Sequence, residues 1–115
     1  MMDHKELDAW KKSMDLVEEV YQITKGFPSE ERFGLIAQIR RSAISIPSNI
    51  AEGASRKSDK EFVQFLYISI GSLSELETQL LISDKLGYIQ FDKIQKSLGD
   101  TKALIMGLIR YLRNK

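Results

Sequence analysis

The sequence predicts an all-α fold, an antiparallel up-down-up-down four-helix bundle formed by a single domain over residues 1–115. Three observations point there. Apolar residues recur at spacings of three and four, and no useful window alternates with period two. Only two prolines occur, Pro28 and Pro47, so long helical runs are free to form. Helix start and stop signals divide the chain into four segments of similar length, which short connections must set antiparallel to their neighbours.

The first helix is expected from Asp3 or His4 to Lys25, with Leu7, Trp10, Met14, Val17 and Tyr21 as one stripe. Gly26 supplies a stop and Pro28 prevents continuation. The second is expected from Ser29, a good N-cap, to about Ala54; Glu30 and Glu31 in its first turn suit the helix dipole. Pro47 lacks an amide and clashes with the Ala43 carbonyl, so this helix should kink there. Ser45, Ser48 and Asn49 are short polar side chains able to satisfy the freed backbone groups. The third helix starts at Ser58, where Ser-Asp-Lys-Glu is a capping box. Phe62, Phe65, Leu66, Ser69, Ile70, Leu73, Leu76, Glu77 and Leu80 mark one face, and Gly87 ends it. The fourth follows Tyr88–Phe91, carries Ile94, Leu98, Leu104, Ile105, Leu108 and Leu112, and finishes in a basic tail. Gly71, Gly99 and Gly107 lie inside helices at a cost of ~1 kcal/mol each relative to alanine. Close helix approach is the expected reason for them.

Residues 33–56 on a helical wheel form an apolar arc of roughly 200°, wider than the stripe of about 100° that a simple bundle needs. Phe33, Ile36, Ala37, Ala43, Ile44, Pro47, Ile50, Ala51 and Ala54 share the arc with Ile39 and Ile46. The flank made chiefly by Leu35, Ile39 and Ile46 should stay wet, which predicts self-association through it; the alternative is cover by the third helix or the 54–58 loop. Arg40 falls inside this arc and should need a partner. Glu77 is the expected one, with Glu75 as the alternative acceptor.

Length and composition bound the function. With 115 residues the chain has room for one modest core. It has no cysteine, which excludes disulfides and thiolate metal sites and fits a reducing cytoplasm. Its first residues lack a signal-peptide core, and no apolar run is long enough for a membrane. With a single histidine, His4, neither a zinc site nor a Ser–His or Cys–His arrangement can be built internally. Carboxylate pairs such as Glu18/Glu19 exist, but the Glu-x-x-His repeats of a di-metal bundle do not. No phosphate-cradling glycine motif occurs, and Glu52 beside Gly53 has no visible proton-transfer partner. The residues therefore call for no catalysis and no cofactor.

The net charge is +1, without the overall basic excess usual for non-specific nucleic-acid binders. Yet the balance runs −2 over residues 1–28, +2 over 29–57, −3 over 58–87 and +4 over 88–115. Either neighbouring helices of opposite charge attract, or the basic segments line a surface for polyanions. The candidates for the second reading are Arg41, Arg56, Lys57 and Lys60, then Lys102, Arg110, Arg113 and Lys115 on the fourth helix. Aromatic residues do not interleave with them along the chain, so any binding would be directed to the backbone. A solvated basic face is the plain alternative.

Three pieces carry a family resemblance: Phe27–Pro28, then QIRRSAISIPSNIAEG followed by Arg56, then EFVQFLYISIGSLSELETQLLISDKLGYI. In this order they resemble the four helix bundle proteins, also called 23S ribosomal RNA intervening-sequence proteins. SIPSNIAEG and GSLSELETQL are the specific parts; the outer helices match mainly in apolar spacing. The resemblance implies a bacterial protein, and a homopentameric ring with basic surface for RNA or DNA, by analogy with a related accessory protein of diversity-generating retroelements. That relative also binds a reverse transcriptase, which implies such a protein partner. Carried over by position, Arg40, Arg41, Ser45, Pro47, Asn49, Glu52, Gly53 and Arg56 are signature residues. They read as mainly architectural, with Arg41 and Arg56 also available to phosphate. The expectation is thus a non-catalytic oligomeric nucleic-acid-binding adaptor, the alternative a protein-interaction scaffold that binds no nucleic acid.

Overall fold

A computed structural model describes residues 3–115. Its long helices are α1 (Asp8–Thr24), α2 (Leu35–Ala54), α3 (Asp59–Lys85) and α4 (Asp92–Arg113), and there is no strand among the described residues. Short 3-10 turns at His4–Glu6 and Ser29–Glu31 precede α1 and α2. With 27 residues, α3 is roughly 40 Å long and sets the long axis of a body measuring 46 × 24 × 20 Å.

Local chemistry explains the boundaries. The Ser58 hydroxyl accepts from the Glu61 amide at 3.2 Å, the N-cap half of the expected capping box, while the Glu61 carboxylate accepts from the Ser58 hydroxyl at 3.3 Å in place of the Ser58 backbone amide. Gly87 follows the end of α3 with φ +82, a conformation that suits only a residue without Cβ. The helix expected from Ser29 is instead a single 3-10 turn followed by a break at Gly34, whose ψ of −107 is not helical. The Glu31 carboxylate turns back to accept from the Leu35 amide at 3.4 Å, so the cap of α2 comes from the preceding turn. This break removes Phe33 from the apolar arc and leaves it 90% exposed. Likewise, extended Leu7 separates α1 from the turn at His4–Glu6.

The four helices share one core. Leu16, Val20, Ile39, Ile46, Ile50, Leu66, Leu76, Leu80, Ile94 and Ile105 have no exposed surface. Burying each such side chain is worth about 1.5–3 kcal/mol. Two consequences correct the sequence reading. The buried face of α1 is Ala9, Ser13, Leu16, Val20 and Thr24, one position round from the expected stripe; Trp10, Val17 and Tyr21 are half-buried and Met14 is exposed. Ser13 and Thr24 tolerate burial because their hydroxyls donate to the carbonyls of Ala9 and Val20, at 2.7 and 2.8 Å. Second, Ile39 and Ile46 are fully buried within one chain and Leu35 is half-buried, so this flank of α2 is not wet. This flank is covered because α2 lies between two neighbours, α1 and α3, whereas Ile44 in the same arc stays 42% exposed.

The seam between α2 and α3 is the tightest. Ser42 donates to Glu75 at 3.0 Å, the Ser45 and Ser72 hydroxyls are 2.8 Å apart, and Ser69 donates to the Ile46 carbonyl at 2.9 Å. At Gly53 a Cβ would stand 2.7 Å from Phe65 Cβ, 2.9 Å from Phe62 Cδ1 and 3.2 Å from the Phe62 carbonyl oxygen. Close approach therefore belongs to Gly53. It does not explain Gly71 or Gly99, where a Cβ would meet nothing within 4 Å, nor Gly107, where it would meet only the Arg110 guanidinium at 3.8 Å.

Candidate nucleic-acid interface

The signature stretch runs down α2 into the turn that starts α3, and Arg40, Ser42, Ser45, Ser48, Asn49, Glu52 and Arg56 each have a structural partner, whereas Arg41 is exposed. Arg40 does not pair with Glu77, which is exposed on α3. Its Nε donates to Thr24 Oγ1 at 2.9 Å, and its guanidinium lies 4.3 Å from the centre of the Tyr21 ring, both on α1. The acceptor that Arg40 needs is a hydroxyl, so no buried ion pair is formed; Glu75, the alternative acceptor, takes Ser42 instead. Pro47 is buried inside α2, which continues through it. Ser48 donates to the Ile44 carbonyl at 2.8 Å, and Asn49 donates to the Ser45 carbonyl and hydroxyl at 2.9 and 3.0 Å. Glu52 holds Arg56 at 2.9 Å.

That last pair opens a basic region. The Arg56 guanidinium also lies 4.8 Å from the centre of the Phe65 ring, a contact worth about 0.5–1 kcal/mol at an exposed site. Lys57 and Lys60 are exposed on the turn and in the first turn of α3. The end of α4 packs against the same place: Lys115 Nζ is 3.2 Å from Asp59 Oδ2, and Arg113 Nη1 donates to the Tyr67 hydroxyl at 3.0 Å. Arg110 is exposed in the last turn of α4. Arg56, Lys57, Lys60, Arg110, Arg113 and Lys115 thus share one end of the molecule.

Arg41 and Lys102 do not join them. Arg41 is exposed on the second turn of α2, roughly 22 Å up the helix from Arg56. Lys102 borders a small cleft with Leu73, Ser74, Glu77, Leu98 and Gly99, roughly 17 Å along α4 from Arg113. Within the basic end, Arg56 and Lys115 meet carboxylates, whereas Lys57, Lys60, Arg110 and Arg113 have none within salt-bridge distance among the described residues. Exposed pairs of this kind contribute little stability, and here they act by holding side chains in place.

Two features escaped the sequence reading. Tyr67 and Phe65 lie beside Arg113 and Arg56, and Tyr111, between Arg110 and Arg113 on α4, has its ring centre 5.6 Å from Lys115 Nζ, so aromatic and basic residues do interleave, both across helices and along the end of α4. The apolar stripe of Trp10, Met14 and Val17 faces Ile44, Pro47 and Ala51 across an open groove of about 360 Å³ between α1 and α2. The ring of His4 stands edge-on to Trp10 at the mouth, centroids 5.3 Å apart. No group of three or more His, Asp or Glu among the described residues is arranged to hold a metal ion, and no helix is long and apolar enough to cross a membrane.

The chain matches the 23S rRNA-intervening sequence protein family over residues 5–110. Its fold is similar to that of a protein of unknown function from the S23 ribosomal protein family of Bacteroides thetaiotaomicron VPI-5482, with a TM-score of 0.82 at 24% identity over 95% of this chain and 99% of the other. No curated protein matches it.

Proposed function

Because the chain belongs to the 23S rRNA-intervening sequence protein family, we propose that it is a non-catalytic, oligomeric adaptor that binds RNA or DNA. In this reading α1 to α4 form an antiparallel up-down-up-down bundle, α2 bends at Pro47, and copies close into a ring in the bacterial cytoplasm, a pentamer by the family resemblance. Reversed residue pairings support the antiparallel order: Ser42 with Glu75, Ser45 with Ser72, Arg56 with Phe65.

The observation that carries the nucleic-acid reading is the convergence of Arg56, Lys57, Lys60, Arg110, Arg113 and Lys115 on one end from segments far apart in sequence. Cations gathered there neutralise neighbouring phosphates and release their counterions. A ring repeats the patch and multiplies weak contacts. Binding of a structured RNA should therefore fall steeply with salt, with a log–log slope of about −0.9 per phosphate contacted in a duplex. Lys57→Gln with Lys60→Gln should reduce both affinity and slope. Absence of binding even at low salt sinks this reading.

The open groove between α1 and α2 favours a second reading, a protein-interaction scaffold without nucleic acid. Met14 and Ile44 line it and are 44% and 42% exposed, so Ile44→Glu leaves the core intact. A variant chain that sediments as a smaller species, from a wild type that binds no RNA, identifies the scaffold. The same groove is the self-association surface of the ring, in place of the buried Ile39 and Ile46.

A further inference from the structure

Between the start of α3 and the end of α4 lies a groove of about 430 Å³, within the range of small-ligand sites. Val63 and Leu112 supply apolar lining, Tyr67 an aromatic one, and Lys60 and Arg113 cationic side chains. Tyr67 is 45% exposed, and the 3.0 Å bond from Arg113 ties its hydroxyl to α4. The carboxylate that also lines the groove, Asp59, is engaged by Lys115 at 3.2 Å, so it does not leave the site acidic. Lys57 and Arg110 extend the positive charge beyond the groove.

From this arrangement we propose that the groove takes one unstacked nucleotide of a single-stranded RNA or DNA. The base stacks against the Tyr67 ring over Val63 and Leu112, its phosphates lie toward Lys60 and Arg113, and the Gln64 amide faces the base edge. The inference rests on the nucleic-acid reading above and refines it from backbone contact to base contact. The chemistry is that of single-strand binders generally: an aromatic platform accepts any base by its π-face, and neighbouring cations track the backbone. Arg113 adds a planar cation beside the ring, and its bond to the hydroxyl orders the platform before the base arrives. A duplex keeps its bases stacked internally and cannot use the platform.

The test compares a short single-stranded RNA with a duplex of the same length by fluorescence anisotropy at low salt. Tyr67→Leu should weaken the single strand about tenfold and leave the duplex unchanged. Tyr67→Phe keeps the ring and should keep most of the affinity, whereas Lys57→Gln should weaken both ligands alike. If Tyr67→Leu has no effect, or weakens both ligands equally, or if Tyr67→Phe loses as much as Tyr67→Leu, the groove does not stack a base, although the basic end still binds. If the wild type binds neither ligand, the nucleic-acid reading fails and the groove proposal fails with it. Binding of neither RNA but of acidic peptides would assign the groove to protein and overturn the proposal.

Discussion

Adding one methyl group at position 53 tests the central packing claim. The new Cβ of Gly53→Ala would stand 2.7 Å from Phe65 Cβ and 3.2 Å from the Phe62 carbonyl oxygen. Both atoms are fixed to the backbone of α3, so no rotamer change relieves the contact and the helices must separate. Overpacking of this kind costs up to about 3 kcal/mol. Alanine's better helix propensity returns ~1 kcal/mol. The net loss is then at most about 2 kcal/mol, which lowers the melting temperature of a domain this size by up to about 8 °C. Gly71→Ala provides the control: its Cβ meets nothing within 4 Å, so only the propensity gain of ~1 kcal/mol remains and the midpoint rises by about 4 °C. Circular dichroism melting at equal protein concentration reads both. A Gly53→Ala chain that melts at or above the wild type refutes the claim that α2 and α3 are held together by the missing side chain.

Four further outcomes are expected. Ser58→Ala removes the side-chain acceptor of the Glu61 amide and should lower stability by about 1 kcal/mol, measured by urea unfolding. Arg40→Met keeps the aliphatic stem but loses the bond to Thr24 and the stack on Tyr21, for a loss of about 1–2 kcal/mol, while Glu77→Gln should change nothing; the reverse order would restore the Arg40–Glu77 pair. Ile46→Glu places a charge where no surface is exposed, so it should abolish the cooperative melt itself; a folded chain that merely dissociates would return Ile46 to an interface. The bond from the Tyr88 hydroxyl to Glu31, then desolvation, then the charges of Glu31 and Glu30, raise the Tyr88 pKa above its ordinary 10.0. Its folded pKa exceeds the unfolded one, so its stabilisation is complete below pH 10.0 and is lost as pH rises through the folded value. The wild-type melting temperature should therefore fall more steeply than that of Tyr88→Phe at alkaline pH, and parallel curves would discount the bond.

The parts of the fold governed by neighbours in sequence were legible. Ser58 with Glu61, the stop at Gly87 and the interruption around Gly26 to Pro28 are local rules, and each falls where its residues put it. What failed depended on partners. The large side chains of α1 drew attention to Trp10, Met14 and Val17, yet helices that approach closely bury small residues, and Ala9, Ser13 and Thr24 take the inner face. Hydroxyls that bond back to their own turn carry no mark of burial in the sequence. The polarity of Arg40 correctly called for a partner, but charge alone suggested a carboxylate where a threonine and a tyrosine ring serve. Which glycine touches a neighbouring helix depends on register, and register is invisible before the helices are docked. The candidate site was legible as a list of cations. Its location was not, because the turn after α2, the start of α3 and the end of α4 meet only in three dimensions.

The shared hydroxyls and the bare backbone along α2 and α3 have a mechanical consequence. Hydroxyl bonds from Ser42, Ser45 and Ser69 and the close approach of Gly53 to Phe62 and Phe65 fix the register of the two helices, so they move as one plank. Amide hydrogens on that plank should be the last to exchange with solvent. Lys57 and Lys60 are mounted at its end, and the spacing between their charges is thereby insulated from fraying of the outer helices.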